Sequence, residues 1–428
     1  MKVLWFANTC SNYSAGSSGY NGGGWVSALE CEISPRVELG VAFITREPLE
    51  SPFHSDPGKK VSWAEEKRHS VTYFPIFNGY DTSRADRFTT LLKGDEKQIF
   101  DLVQSYISIV EEFRPDVIQV FGSEYSFGLI AEHTDIPVVL HLQGLVNPYF
   151  KVFLPPGATW NRYIFESLSP AKVLHRLYIR KKWLSACERE SRILRNIRHF
   201  IGRTDWDRKM LGRANPEASY HEGGEIMRQP FYDADIDAIS GIPSKMTLVT
   251  TISEPTYKGY DLVLKTAKLL KDKYSIPFDW KVFGNIRPHF FEKITGIRTE
   301  AAGVTLAGVA TAEQLVEAIA GASMYVHPSY IDNSPNGVCE AQLLGAAVIA
   351  TNVGGIPTLI KDGETGFLVR KGNPEEMAER IVAVYRNKEL LRRVGHSARQ
   401  VALVRHDRKL IADSLMELYR QLCATDSK

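Results

Sequence analysis

The stretch from His327 to Gly345 constrains the fold more strongly than any other part of the chain. Short apolar runs precede and follow it, and both are typical of buried strands. Between them a polar loop turns into a helix at Pro335, which suits the first helical position, and Ser334 or Asn333 suits the N-cap. A strand, a loop, a helix and a second strand in this order predict one βαβ unit of a parallel sheet.

Two carboxylates flank the start of this helix, and they indicate what the loop binds. Asp332 precedes the helix and Glu340 follows eight residues later, which places them roughly 10 Å apart if half of the intervening chain is helical. The amides of the first helical turn favour an anion such as a diphosphate. A nucleotide sugar, with hydroxyl groups at both ends and phosphates between them, fits this arrangement. Each acid taken alone is also typical of a solvated loop or helix.

Composition limits the class of protein. The 428 residues are enough for two domains, and 44% hydrophobic with 24% charged residues is typical of a globular protein. A net charge of +2 gives no reason to expect nucleic acid as a partner. Five scattered cysteines without a Cys-x-x-Cys pair argue against a disulfide framework or a zinc site. The first apolar run is too short for a signal peptide and no run has transmembrane length, so we expect a cytoplasmic protein.

The N-terminal half opens with a strand, a Ser- and Gly-rich loop and a helical run, as Rossmann-like folds do. The glycines Gly22, Gly23 and Gly24 do not give the G-x-G-x-x-G spacing of a dinucleotide site, because Ser27 stands at the third position. We expect the backbone of these glycines, which carry no side chains, to lie against the phosphates of the bound nucleotide sugar or against a second substrate that accepts the sugar. The alternative is a surface loop without a binding role.

Further strands alternate with helical stretches in the first half, which predicts a parallel sheet with helices on both faces. Glu124 and Gln143 follow two of these strands, so we expect them at the crevice beyond the carboxyl ends of the sheet. Arg203 follows a last short strand, where it either meets a phosphate or pairs with Asp205 or Asp207.

Residues 322–375 resemble the donor-site motif of the retaining GT-B glycosyltransferases of glycosyltransferase family 4 (glycosyl transferases group 1). The shared motifs are His-Pro-Ser (327–329), an acid at 332, Ser-Pro-Asn-Gly (334–337), Glu-Ala (340–341), Val-Ile-Ala-Thr (348–351), Gly-Gly-Ile-Pro (354–357) and Asp-Gly-Glu-Thr-Gly-Phe-Leu-Val (362–369). The chain departs from the family at Asp332, where glutamate is usual, and at Thr358, where a third glutamate often stands.

The resemblance implies an α/β protein of the GT-B class, with two Rossmann-like lobes whose parallel sheets face a central cleft. The N-terminal, acceptor-side lobe is expected over 1–228, joined by a C-terminal helix over 408–428. The nucleotide-sugar donor lobe is expected over 229–407. Its first stretch, Gln229 to Pro243, carries prolines and acids and is predicted to be the linker that crosses between the lobes. The resemblance also implies retention of anomeric configuration without a metal or cofactor, and the sequence offers no convincing Asp-x-Asp metal site.

Roles for particular residues also follow from the resemblance. Lys258, which matches the family's Lys-Gly pair, is expected to stabilise the leaving diphosphate, while Ser253 stands where the family has arginine. Gln143 replaces a histidine near the donor sugar. The predicted catalytic residues are Lys258, Asp332 and Gln143. The predicted donor-binding residues are Glu340, Gly22, Gly23, Gly24, Asn333, Ser334, Pro335, Asn336, Gly337, Val309, Ser253 and Arg203.

The segment 147–203 mixes aromatic residues with many Arg and Lys side chains and few acids. It is expected either to contact anionic lipids or a lipid-linked acceptor at the inner face of the membrane, or to form a solvated face that frames the acceptor cleft. Nothing else in the chain favours nucleic acid.

Together these features predict a retaining hexosyltransferase-type glycosyltransferase. It would move a sugar from a nucleotide-diphosphate sugar to a hydroxyl group of a carbohydrate or lipid-linked acceptor, in bacterial surface polysaccharide or glycolipid synthesis. One alternative is a catalytically silent protein that binds sugar nucleotides, because Ser253, Gln143 and Asp332 all depart from the family. The other is a GT-B sugar-nucleotide epimerase or hydrolase, for which the first lobe offers no acid–base set.

Overall fold

A computed structural model describes residues 1–14, 24–49, 60–167, 169–235, 243–253 and 256–425. Within these residues, two mainly parallel sheets form two α/β lobes that face each other across a cleft. The predicted fold class is therefore confirmed. Gly22, Gly23 and part of the predicted interlobe linker lie outside the described residues.

The first sheet contains nine strands in the described part of the chain, in the order β3-β5-β2-β1-β6-β7-β8-β9, with β4 also paired to β5. The strands are β1 Lys2–Ala7, β2 Glu38–Thr45, β3 Val61–Trp63, β4 Glu66–Arg68, β5 Val71–Asn78, β6 Val117–Phe121, β7 Val138–His141, β8 His199–Gly202 and β9 Ser219–Glu222. All pairings are parallel except those of β3 and β4 with β5. These two short antiparallel strands were not predicted.

The second sheet repeats the doubly wound order with six parallel strands, β12-β11-β10-β13-β14-β15. They are β10 Met246–Thr251, β11 Phe278–Phe283, β12 Val304–Gly308, β13 Met324–His327, β14 Val348–Thr351 and β15 Phe367–Val369. In both sheets the first strand of the lobe lies centrally, with later strands on either side. Ligands of such sheets bind at the point where the strand order reverses. That point lies between β1 and β6 in one lobe and between β10 and β13 in the other.

The helices cover the faces of both sheets. They are α1 Gly24–Ile33, α2 Arg84–Lys93, α3 Glu96–Phe113, α4 Val146–Lys151, α5 Trp160–Ile164, α6 Pro170–Asn196, α7 Asp205–Ala214, α8 Gln229–Asp233, α9 Tyr260–Asp272, α10 His289–Thr295, α11 Ala312–Ala320, α12 Asn336–Leu343, α13 Ile356–Leu359, α14 Pro374–Arg386, α15 Lys388–Arg405 and α16 Arg408–Thr425. Short 3₁₀ helices span Phe127–Glu132 and Thr256–Lys258. Helix α8 lies in the stretch that was predicted as irregular linker.

Helix α16 follows the second lobe in sequence but packs on the first. Its apolar face shares a buried cluster with β1 and α1. The indole Nε1 of Trp5 donates to Tyr419 Oη over 2.9 Å, and Tyr419 donates to Gln119. Arg36 Nη1 lies 2.5 Å from Asp413 Oδ1 at the rim. Helix α16 thus packs the end of the chain against the first lobe.

Candidate active site in the interlobe cleft

The cleft between the lobes has a volume of about 1280 Å³. Its walls come from α6 and from loops that follow the carboxyl ends of strands in both sheets, where parallel α/β sheets bind ligands. Arg and Lys side chains outnumber Asp and Glu in the lining, seven to five. This excess of positive charge favours an anionic ligand.

The loop before α12 lies on the floor of the cleft, and its cap differs from the prediction. Pro335, not Ser334 or Asn333, is the N-cap, and α12 begins at Asn336. The side chains of the two preceding residues instead bind the first lobe. Asn333 Oδ1 accepts from Thr204 Oγ1 at 2.5 Å and Nδ2 donates to Asp207 at 2.8 Å. Because the side chain of Asn333 is bound to the first lobe, it does not cap α12, and no side-chain cap hydrogen bond forms at Pro335.

Ser334 makes the second contact of this loop with the first lobe. Its hydroxyl group donates to Glu225 Oε2 over 2.7 Å. Pro335, Asn336 and Gly337 line the cleft beside it. The N-terminal end of α12, where the helix dipole is positive, therefore faces the cleft.

Lys258 and Asp332 form an ion pair at the centre of the cleft. Lys258 Nζ lies 2.8 Å from Asp332 Oδ2, and His327 Nε2 lies 3.0 Å from the same oxygen. Burial alone would raise the pKa of Asp332, but Lys258 and His327 outweigh it and hold that pKa well below its usual value. Asp332 is therefore ionised, and it fixes the ammonium group of Lys258 at the cleft wall.

Gly259 explains how Lys258 comes so close to the loop after β13. Its φ is +79°, and a Cβ at this position would lie 2.1 Å from the carbonyl oxygen of Pro328. Only glycine permits both the left-handed backbone and this close approach. The Lys-Gly pair thus places the ammonium group through the geometry of its second residue.

Glu340 also lines the cleft, but it does so with a partner that was not predicted. The guanidinium group of Arg228 binds both oxygens of Glu340, with Nε to Oε1 at 2.7 Å and Nη2 to Oε2 at 2.9 Å. Burial raises the pKa of Glu340, and Arg228 opposes that rise. Each carboxylate oxygen has a further lone pair beyond the one that Arg228 uses. The two hydrogen bonds from Arg228 therefore orient the carboxylate of Glu340 and leave it able to accept hydrogen bonds from hydroxyl groups of a ligand.

The guanidinium group of Arg203 pairs with neither of the predicted partners, Asp205 and Asp207. Its guanidinium group forms an ion pair with Glu225, and Nη2 donates to the carbonyl oxygen of Gln143 over 2.9 Å. Only its backbone N–H binds Asp207, at 3.0 Å. The capping box of α7 already occupies Asp207, which is why the buried arginine uses Glu225. Arg203 still lines the cleft.

Gln143 lies at the first-lobe wall of the cleft, after β7. Its Oε1 accepts from Asn8 Nδ2 at 3.0 Å. Behind it, His141 is buried on the other face between Trp25 and Phe121, with ring centroids 4.9 and 5.9 Å away. Burial lowers the pKa of His141 well below its usual value, so this histidine is neutral and belongs to the core.

The remaining predicted residues divide into two groups. Ser253 and Val309 line the cleft, and Val309 is 53% exposed. Gly24, by contrast, is buried as the first residue of α1 and does not line it. Donor contact by this glycine has no support in the described geometry.

Several basic side chains of segment 147–203 form ion pairs with acids of the protein itself. Arg176 pairs with Glu166, Lys182 with Asp81 and Asp95, and Arg192 with Glu132. These pairings leave fewer cations for lipid headgroups than the sequence suggested. Within the described residues, no helix has the length and apolarity to cross a membrane, and no group of three or more His, Cys, Asp or Glu side chains is arranged to hold a metal ion.

The Gly354-Gly355 turn packs closely against both the loop before α12 and the first lobe. A Cβ on Gly355 would lie 2.4 Å from the carbonyl oxygen of Asn333 and 2.5 Å from Thr204 Cγ2. We predict that Gly355→Ala lowers the stability by about 1–3 kcal/mol through this overpacking. Gly212→Ala is the matched control, because a Cβ there meets open space in the exposed α7; it should be neutral or stabilising by up to about 1 kcal/mol. Equal thermal unfolding midpoints for both variants would contradict the contact.

Several site residues have no signal in the local sequence. Arg228, Glu225 and Thr204 act through partners more than 100 positions away. His327 is the exception, because it stands at a strand end five residues before Asp332. A histidine at a strand end, five residues before an acid in the following loop, could have been recognised in the sequence as a possible partner of that acid.

Comparison with known proteins relates part of the chain to a glycosyltransferase family. Residues 244–387, about a third of the chain, match the family model for glycosyl transferases group 1. The alpha-maltose-1-phosphate synthase of Mycobacterium tuberculosis is 34% identical over 122 residues, which is 27% of this chain. The chain spans about a third of that relative's length, 31%.

Solved structures agree over nearly the whole chain. The sucrose-phosphate synthase of Thermosynechococcus elongatus superposes with a TM-score of 0.72 at 16% identity, covering 99% of each chain. HepE of Anabaena, solved with UDP and glucose, gives a TM-score of 0.63 at 14% identity, covering 98% of this chain and 100% of that one. The chain thus has the GT-B fold, and its residues 244–387 match the family model for glycosyl transferases group 1.

Proposed function

We propose that this protein is a retaining, metal-independent glycosyltransferase that moves a sugar from a nucleotide-diphosphate sugar to an acceptor hydroxyl group. The observation that carries the proposal is the grouping of Lys258, Asp332, Glu340 and the start of α12 in one cleft. A cation, a helix N-terminus and two flanking acids match a diphosphate with hydroxylated groups at both ends. The complexes of HepE with UDP and glucose and with UDP-glucose support a sugar-nucleotide donor.

In the proposed reaction, the bond between the anomeric carbon and the diphosphate oxygen breaks and the acceptor oxygen bonds to the same carbon. The acceptor proton passes to the leaving diphosphate. Lys258 and the positive end of α12 stabilise the negative charge that grows on that diphosphate, which is an interaction stronger in the transition state than in the ground state. Glu340 binds ribose hydroxyl groups, and Asp332 binds the donor sugar while it holds Lys258. The family resemblance supports retention and a role in bacterial surface polysaccharide or glycolipid synthesis.

A donor screen tests this proposal and separates it from its alternatives. We expect one nucleotide sugar among UDP-, ADP-, GDP- and TDP-linked hexoses to raise the melting temperature of the chain, because a ligand that binds only the folded state stabilises it. Transfer or slow hydrolysis of that donor is the second expected result. Saturable binding with no turnover would support the catalytically silent alternative, and no binding by any member would contradict the proposed function.

A further inference from the structure

A group of unpartnered polar atoms lies in the first-lobe half of the cleft. Oε2 of Glu124, Nε2 of Gln143 and Nε of Arg189 are buried and have no hydrogen-bond partner among the described residues. All three residues line the cleft. Buried polar atoms in folded proteins are nearly always paired. Unpaired atoms on residues that line a cleft therefore indicate where a ligand can complete the bonding.

Glu124 has a special position among these residues. It follows β6, which lies beside β1 where the strand order of the first sheet reverses. Asp332 follows β13, which lies beside β10 at the corresponding point of the second sheet. The two carboxylates also lie near the same aromatic pair, because both contribute to raised pKa values of Tyr149 and Tyr257, after burial as the main cause. The rings of that pair are 5.1 Å apart.

The surroundings of Glu124 keep its carboxyl group close to its titration point near neutral pH. Burial and then Glu190 of α6 raise its pKa to about 7, while Arg203 after β8 and nearby backbone amides act in the other direction. Arg189 of α6 also faces it and donates to its backbone carbonyl oxygen over 2.8 Å. Tyr125, Tyr149 and, from the second lobe, Tyr257 complete the titratable groups around it.

We propose that Glu124 accepts a hydrogen bond from a hydroxyl group of the acceptor that lies beside the reacting one, and that Gln143 donates to another hydroxyl group of the same molecule. The proton of the reacting hydroxyl group still passes to the leaving diphosphate. This inference rests on the proposed transfer reaction, and it makes Glu124 an acceptor-binding residue that the sequence motifs do not identify. It also gives the acceptor class: a molecule with adjacent hydroxyl groups, such as a sugar or a cyclitol. Tyr149 and Trp183 also line the cleft, are only partly buried, and offer apolar surface to such a ring.

The test compares Glu124→Gln with Glu188→Gln, which changes an exposed glutamate on α6. The donor is the nucleotide sugar that stabilises the wild-type chain in the screen above. The acceptors are water, measured as donor hydrolysis, and a panel of hexoses, hexose phosphates and myo-inositol. We expect Glu124→Gln to bind the donor within about twofold of wild type and to lose about 10- to 100-fold in transfer to the acceptor, the size expected for one lost charge-assisted hydrogen bond.

The pH profile separates a role in the reaction from a structural role. Because Glu124 accepts best as a carboxylate, wild-type turnover should rise with pH through about 7. This rise of turnover with pH should be absent in Glu124→Gln, present in Glu188→Gln and partly present in Glu124→Asp. If Glu124→Gln binds the donor normally and keeps both the wild-type turnover and the rise with pH, the role proposed for Glu124 is overturned, while the proposed function is not affected. Absence of donor binding in the wild-type chain would instead overturn the proposed function.

Discussion

Replacement of Lys258 with alanine should lower turnover by about 10²–10³-fold, the usual loss when one placed donor to a developing negative charge is removed. Donor affinity should change much less, because the diphosphate is still bound by the start of α12 and the sugar and ribose by Asp332 and Glu340. The measurement is kcat from initial rates beside the dissociation constant of the donor from calorimetry. Lys268→Ala, on the exposed side of α9, is the matched control and should leave both values unchanged.

The single variant also removes the main partner of a buried carboxylate. Asp332 would keep His327 at 3.0 Å but lose Lys258 at 2.8 Å, and an uncompensated buried charge costs about 3–5 kcal/mol. The double variant Lys258→Met with Asp332→Asn removes both charges together and should recover most of the lost stability. It should not recover turnover. A double variant with near-normal kcat would mean that Lys258 serves only to balance Asp332.

Glu340→Ala should weaken donor binding by about 10- to 100-fold, because the equivalent of one charge-assisted hydrogen bond to the ribose hydroxyl groups, about 1.5–3 kcal/mol, is lost. The loss should be equal for the nucleotide sugar and for the corresponding nucleoside diphosphate, since Glu340 is assigned to the ribose end. Removing the charge of Asp332 should weaken binding of the nucleotide sugar only. Glu317→Ala, on the exposed side of α11, is the surface control.

The ribose itself provides a check that excludes general damage to the site. The wild-type chain should bind the 2′-deoxy form of the nucleoside diphosphate less tightly than the ribose form. Glu340→Ala should bind both forms with similar affinity, because the partner of the missing hydroxyl group is gone. If the variant still discriminates between them by the wild-type factor, Glu340 holds Arg228 in place and does not contact the ribose.

The second lobe was predictable from its sequence because its information is local. The apolar runs of β10, β13 and β14, the proline at the start of α12 and the Lys258-Gly259 pair each fix structure within a few residues. The central strands of the first lobe followed from the same kind of pattern. The antiparallel strands β3 and β4 were missed because each has only three residues, too few to establish a period of two.

The pairings of the site were less accessible because they depend on which distant side chains meet in the folded chain. Asn333 and Ser334 have side chains that suit an N-cap. In the folded chain these side chains instead form hydrogen bonds with the first lobe, at Thr204, Asp207 and Glu225. Arg228 meets Glu340 across 112 positions. Local preference is worth about 1 kcal/mol for a cap, and buried contacts between the lobes exceed it.

The most direct test of the whole account is a crystal structure of the wild-type chain with the nucleotide sugar selected by the donor screen. The account predicts the diphosphate between Lys258 Nζ and the first amides of α12, with the ribose at Glu340 and the sugar at Asp332. A nucleotide bound elsewhere, or one that leaves Lys258 and the start of α12 without contact, would contradict it.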